Sequence, residues 1–178
     1  MADDDIAVVD DANRFVRWTD RREVHGGHLP HRSIHVLVFD GRGRMLVQQR
    51  AHDKLTWPGH WDIAAAGHVE RSDYPGGPDD DLDAVYAAVA ARELREELAI
   101  DAPLELLVRQ GPTPGVHYEH LHLFEARGDG PVTLQESEVA AWRWLGPHGW
   151  DAGDAAPRTH ALTAWVRWLR SRGRFLGR

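Results

Sequence analysis

Between residues 81 and 98 apolar side chains recur at intervals of three and four, and short apolar or alternating runs lie on both sides of that segment. This pattern constrains the fold more than any other feature, because a helix bracketed by strands can bury its stripe only against a sheet. Upstream, the runs at 6–10 and 14–20 flank Asp11, Ala12 and Asn13 and read as a hairpin within an N-terminal region at 5–24. Those at 33–40 and 45–50 flank a Gly-Arg-Gly-Arg turn, and 61–67 reads as a third core strand. Downstream, strands are expected at 104–110, 116–127 and 138–146. A closing helix over 158–173 ends at Gly173. The expectation is one α/β layered domain spanning 1–178, with no internal repeat.

Composition limits what such a domain can do. A net charge of −7 argues against non-specific attraction to nucleic acid, and an anionic ligand would need a local basic patch or metal ions to offset repulsion. Lys54 is the single lysine. No apolar run reaches the length that spans a membrane. The acidic N-terminus lacks the basic stretch and apolar core of a secretory signal, and there is no cysteine, so a cytoplasmic protein is expected.

Within the central helix, Ala84, Ala87, Ala91, Leu94 and Leu98 form one stripe, small enough to lie close against a sheet. Asp79, Asp80 and Asp81 stand where an N-cap and the helix dipole favour acids. Glu93, Glu96 and Glu97 cluster within one turn, and Arg92 lies four before Glu96. Such a cluster reads either as a solvated face with an ion pair or as oxygen ligands for Mg²⁺ or Mn²⁺, completed by carbonyls of the Ala-Gly turn at 66–67. The loop at 71–81 holds Pro75, Gly76, Gly77 and Pro78 and resists regular structure. Deleting Tyr74 to Asp80 is therefore expected to leave folding intact.

Gly67 to Asp73, followed by Arg92-Glu93-Leu94-Arg95-Glu96-Glu97-Leu98-Ala99-Ile100, resembles the Nudix box. Its pattern is Gly, five residues, Glu, seven residues, then Arg-Glu-aliphatic-x-Glu-Glu-x-Gly-aliphatic. Asp73 stands at the first glutamate and Ala99 at the late glycine. The 18 residues between Asp73 and Arg92 exceed the pattern by 11, an insertion at 74–84 within a box at 67–100. Segments from about residue 5 to 127 further resemble the branch related to isopentenyl-diphosphate isomerase. There a catalytic cysteine precedes the Gly-His pair, whereas this chain has Ala66 before Gly67 and His68. A chain without a thiol cannot run that proton transfer, so the isomerase relation is expected to be one of fold.

The resemblance implies a Nudix α/β/α sandwich with a mixed sheet, an N-terminal β-hairpin and a C-terminal helix. It implies hydrolysis of a small-molecule diphosphate by water attacking phosphorus, with Mg²⁺ or Mn²⁺ as cofactor, in a monomer or homodimer. Glu93, Glu96 and Glu97 would carry metal near the Gly67 carbonyl, Arg92 would orient them, and Glu119 would add a carboxylate from outside the box. Arg50 and Lys54 match diphosphate-contacting positions, with Trp61, and Trp57 beside it, as pocket walls. His31 and His68, with His25 one position away and His117 in place of a carboxylate, resemble a second metal site, one suited to a transition metal.

Overall fold

A computed structural model describes residues 3–113, 115 and 117–177. β1 (Ile6–Val9) and β2 (Phe15–Thr19) form the expected antiparallel hairpin, Ile6 opposite Thr19. The Asp10 carboxylate closes its turn by accepting the N–H groups of Ala12 and Arg14 at 2.9 Å each, and Asn13 takes a φ of 62°, which asparagine tolerates. A short helix absent from the sequence reading follows, α1 (Arg21–Gly26), started by Asp20, whose side chain accepts from the Glu23 N–H. β3 (His31–Phe39) and β4 (Met45–Arg50) are joined by a turn in which Asp40 accepts from Arg42 and Arg44 while Gly43 takes φ 75°.

The strand expected over 61–67 is two strands, β5 (Trp61–Asp62) and β6 (Ala65–His68), pairing with β4 and β3 respectively. Between them the Ile63 N–H donates to the Asp62 side chain at 2.9 Å, a local bond that interrupts the ladder. A single 3₁₀ turn (Arg71–Asp73) precedes α2 (Leu82–Leu98). β7 (Leu104–Gln110), β8 (Glu119–Arg127) and β9 (Val139–Leu145) come next, then α3 (Pro147–Ala152) and α4 (His160–Ser171). The run expected from 116 becomes strand only at Glu119; Val116 lies outside the described residues, as do Pro114 and, at the bounds of the expected domain, Met1, Ala2 and Arg178. Thr159 caps α4 by accepting from the Leu162 N–H, and Gly173 ends it with φ 70°. The fold class is mixed α/β, as expected.

The chain divides into two compact units, and the division passes through β3, α2 and β8. The first unit comprises Met1–His35, Ala66–Glu93 and Leu104–Phe124. Ile6, Val8 and Val24 make a small buried cluster there with Leu29 against it. The His31 and Val69 N–H groups donate to the carbonyls of Tyr118 and Arg32, tying β3 to its neighbours. The second unit comprises Val36–Ala65, Leu94–Pro103 and Glu125–Arg178. Its long ladder is β4 against β9, from Met45 opposite Leu145 to Arg50 opposite Val139, and α4 buries Leu162, Trp165, Val166 and Leu169 at helical spacing.

Two expectations about α2 are corrected, and the turn after it keeps its form. Its buried face is Val85, Tyr86, Val89, Ala90, Leu94 and Leu98, whereas Ala84 is exposed and Ala87 and Ala91 only half-buried. Valine and tyrosine remove more apolar area from water than alanine, so the helix turns them inward. The aspartates do not cap the helix as a group. Asp80 accepts from the Gly77 N–H at 2.8 Å, Asp79 accepts from the Phe15 N–H at 3.0 Å, and Asp81 sits at φ 39°. Ala99, in place of the pattern's glycine, keeps the turn: it takes φ 53°, its N–H donates to Arg95 O, and the Ile100 N–H returns to Leu94 O.

The 74–80 loop is also more than a surface bulge. Arg32 is completely buried, and its guanidinium donates to Asn13 Oδ1 and O, the Tyr74 hydroxyl, the Pro78 carbonyl and the Asp79 carboxylate. Three of those five acceptors belong to the loop. Its polar composition hides the fact that it solvates a buried cation.

Candidate active site and histidine cluster

Residues of the box meet in the first unit around Gly67. A Cβ built on Gly67 would lie 2.4 Å from Glu93 Cδ and 2.5 Å from its Oε1, so glycine is what lets the Glu93 carboxylate lie against β6. Arg92 reaches Asp73 through two bonds of 3.1 Å and Glu93 Oε1 at 2.9 Å. Asp73 also accepts from the Glu70 N–H at 2.8 Å. The acid at the pattern's first glutamate position thus anchors the arginine that holds Glu93, and the shorter aspartate suffices because the 3₁₀ turn brings it in.

Farther along α2, Glu96 is exposed and Glu97 is only 9% exposed. Glu97 Oε2 accepts from Gln48 Nε2 at 2.6 Å, a partner that the sequence reading missed because β4 is distant in sequence. Also in the second unit, Arg50 donates to Thr56 O at 3.1 Å and to its hydroxyl at 3.3 Å, and stands 3.4 Å from Asp62 Oδ2. Burial raises the Asp62 carboxyl above its ordinary range, opposed by the Thr159 hydroxyl and Arg50. Lys54 pairs with Glu138. Trp61 is buried with the Arg143 guanidinium 4.4 Å from its ring centre, a core position, while Trp57 is 41% exposed, lies against His60 and His160, and takes φ 53°.

The histidines of the first unit come together more tightly than their spacing suggested. His25, His31 and His68 each offer a ligand atom within 4.8 Å of the others. His25 enters from the last turn of α1. Burial lowers the His31 imidazole to about 4 and His68 well below its usual value, and it lowers His25 too, so all three rest neutral. His31 Nε2 and His68 Nε2 are buried without a hydrogen-bond partner. Three neutral imidazoles with two such nitrogens fit a transition metal.

His117 and Glu119 line the same cleft as His25 and His31 but stand outside the three-residue group. Glu119 Oε1 is 3.7 Å from His31 Nε2, and burial raises its carboxyl. His117 Nε2 lies 2.8 Å from Gln110 Nε2. The sequence reading missed Arg21, which contacts His68; an arginine at the start of a short helix gives no local signal of that contact.

A family model described as the NUDIX domain matches residues 29–166. An uncharacterized Nudix hydrolase of Pseudomonas aeruginosa is 35% identical over 143 residues, covering 80% of this chain and 78% of that one. An isopentenyl-diphosphate Delta-isomerase of Burkholderia multivorans is 32% identical over 146 residues, 79% of this chain and 76% of that one. Among solved structures, a Deinococcus radiodurans protein superposes with a TM-score of 0.74 at 19% identity, covering 92% of this chain and 98% of that one. The MutT protein of Methanosarcina mazei does so at 0.58 and 17%, covering 79% and 93%. No helix among the described residues is long and apolar enough to cross a membrane. With the family model spanning most of the chain and a Nudix hydrolase 35% identical over most of both chains, the chain belongs to the Nudix family and is a Nudix hydrolase, of the kind that cleaves diphosphates.

Proposed function

We propose that the chain is a divalent-metal-dependent hydrolase that splits the diphosphate linkage of a nucleoside diphosphate derivative or another organic diphosphate by attack of water on phosphorus. The reading is supported chiefly by the close approach of Glu93 to Gly67, which keeps a carboxylate where any side chain on β6 would expel it. Glu93, Glu96 and Glu97 hold Mg²⁺ or Mn²⁺ beside the Gly67 carbonyl. The bound ion neutralises phosphate charge and makes water more acidic. Arg92 fixes Glu93 through Asp73, and Arg50 and Lys54 bind the diphosphate after exchanging Thr56, Asp62 and Glu138 for phosphate oxygens. Trp61 supports that segment from the core. Glu119 takes a proton or completes a metal shell, a role that its raised carboxyl supports. His25, His31 and His68, with His117 and Glu119 alongside, hold a transition metal, and its content in protein purified without chelator, against a His31→Ala/His68→Ala variant, tests that part.

The test of the reaction is phosphate release with Mg²⁺ from nucleoside di- and triphosphates and other organic diphosphates. Glu96→Gln and Glu97→Gln are expected to lose most turnover. Glu96→Gln should leave stability unchanged, while Glu97→Gln weakens a charge-assisted bond to Gln48 at a cost of about 1 kcal/mol. Near-full turnover by either variant at saturating Mg²⁺ would remove these residues from the ligand set.

A second reading, isomerisation of an allylic diphosphate, is favoured by the histidine cluster. With Ala66 at the cysteine position and no thiol in the chain, Tyr118 or Glu119 would have to move the proton. A shifted double bond in the product would establish it.

A further inference from the structure

Buried His31 and half-buried His68 of the cluster are set in opposite tautomers. His31 Nδ1 lies 2.8 Å from the Leu29 carbonyl. A carbonyl only accepts, so Nδ1 carries the hydrogen and Nε2 presents a lone pair to the cluster. His68 Nδ1 lies 2.7 Å from an Arg21 guanidinium nitrogen. A guanidinium only donates and does not deprotonate, so Nδ1 must accept. The neutral ring then carries its hydrogen on Nε2, the atom that is buried without an acceptor. Both nitrogens of His68 are thereby closed to a cation, Nδ1 by the arginine and Nε2 by a proton.

Arg21 adds a second obstacle. Its positive charge stands against His68 at the edge of the cluster. A divalent ion would meet the same field. Arg21 itself is exposed on the first turn of α1, so its side chain can swing into water without disturbing the core.

We propose that Arg21 is an internal competitor for metal at the histidine cluster, a removable guanidinium cap that closes His68 and must leave before all three imidazoles can hold an ion. This rests on the reading of His25, His31 and His68 as a transition-metal site. Arg21 and the ion exclude one another at His68, so whatever draws the guanidinium away, an anion above all, favours loading of the site.

The experiment uses the full chain and Zn²⁺ alone as probe. Zn²⁺ affinity is measured by competition with a chromophoric chelator for the parent, Arg21→Ala, and His31→Ala/His68→Ala. Imidazole tautomers of metal-free protein are read from long-range ¹H–¹⁵N NMR. Expected are an Nε2–H tautomer for His68 and an Nδ1–H tautomer for His31 in the parent, loss of the His68 preference in Arg21→Ala, and Zn²⁺ binding at least about tenfold tighter in that variant, equivalent to roughly 1.4 kcal/mol. Equal or weaker binding by Arg21→Ala, in a protein whose double-histidine variant has lost Zn²⁺, overturns the competitor while leaving the metal site standing. An Nδ1–H tautomer for His68 in the parent overturns it as well. Equal Zn²⁺ binding by the parent and the double-histidine variant, or none by any of the three, overturns the metal site and the competitor with it.

Discussion

Exchanging residues 74–80 for a Gly/Ser segment of equal length tests the role given to the insertion. The exchange removes the Tyr74 hydroxyl at 3.0 Å and the Asp79 carboxylate at 2.6 Å from the Arg32 guanidinium, and it frees the Pro78 carbonyl to drift. It also removes the edge packing of Tyr74 on Trp18, ring centres 5.4 Å apart. Arg32 stays buried with only Asn13 to answer it. Breaking a buried ion pair costs about 3–5 kcal/mol because the remaining charge is stranded. Asp79 is half-exposed and its share is screened by water, so the low end, roughly 3 kcal/mol, is the expectation. Against the ~5–15 kcal/mol of a whole domain that is a large loss, worth about 6–12 °C in Tm at this chain length. Urea unfolding followed by tryptophan fluorescence measures it. Combining the exchange with Arg32→Met should recover part of the loss, since no charge is then stranded, and the double-mutant cycle should show coupling of at least about 1 kcal/mol. A loss below about 1 kcal/mol from the exchange, or strict additivity with Arg32→Met, would refute the argument.

Other outcomes follow from single positions. Ala99→Gly should raise stability by roughly 0.5–1 kcal/mol in the same unfolding assay, because it relieves a left-handed alanine at φ 53° and returns less than that in chain entropy. Gly67→Ala should leave a folded protein with sharply reduced turnover and a higher Mg²⁺ requirement, since its Cβ would sit 2.4 Å from Glu93 Cδ; unchanged Mg²⁺ dependence would contradict it. Burial holds His31 and His122 at about 4 and His35 at about 3, so the folded chain stays unprotonated where the unfolded chain takes up protons. Their contribution is intact above about pH 6.5 and is lost as pH falls toward 4, about 2–3 kcal/mol for His31 alone by pH 4.5, which urea unfolding at pH 7.5 and 4.5 in chelator measures.

Most of the fold was legible in the sequence because strands and the two long helices announce themselves through local periodicity. The hairpin, the β3–β4 turn, the extent of α2 and the ends of α4 all follow from residues within a few positions of one another. The box glutamates were legible for the same reason, since one helix turn fixes their spacing. What local pattern cannot convey is which face a helix buries when two candidate stripes compete, and α2 turned its valines and Tyr86 inward instead of its alanines. It also cannot convey pairings between distant segments. Gln48 with Glu97, Lys54 with Glu138, and Arg32 inside the 74–80 loop join residues 42 to 84 positions apart, and burial decides each of them. The histidines divide along the same line. Their residue types suggested a metal site, but only the docking of α1, whose Val24 is buried against Ile6 and Val8, brings His25 to the other two and sets Arg21 on His68. Ala99 shows the reverse balance: it stands where the family pattern has glycine, yet the return of the Ile100 N–H to the Leu94 carbonyl, six positions back, holds alanine in a conformation it disfavours, because the surrounding bonds outweigh a local strain of about 1 kcal/mol.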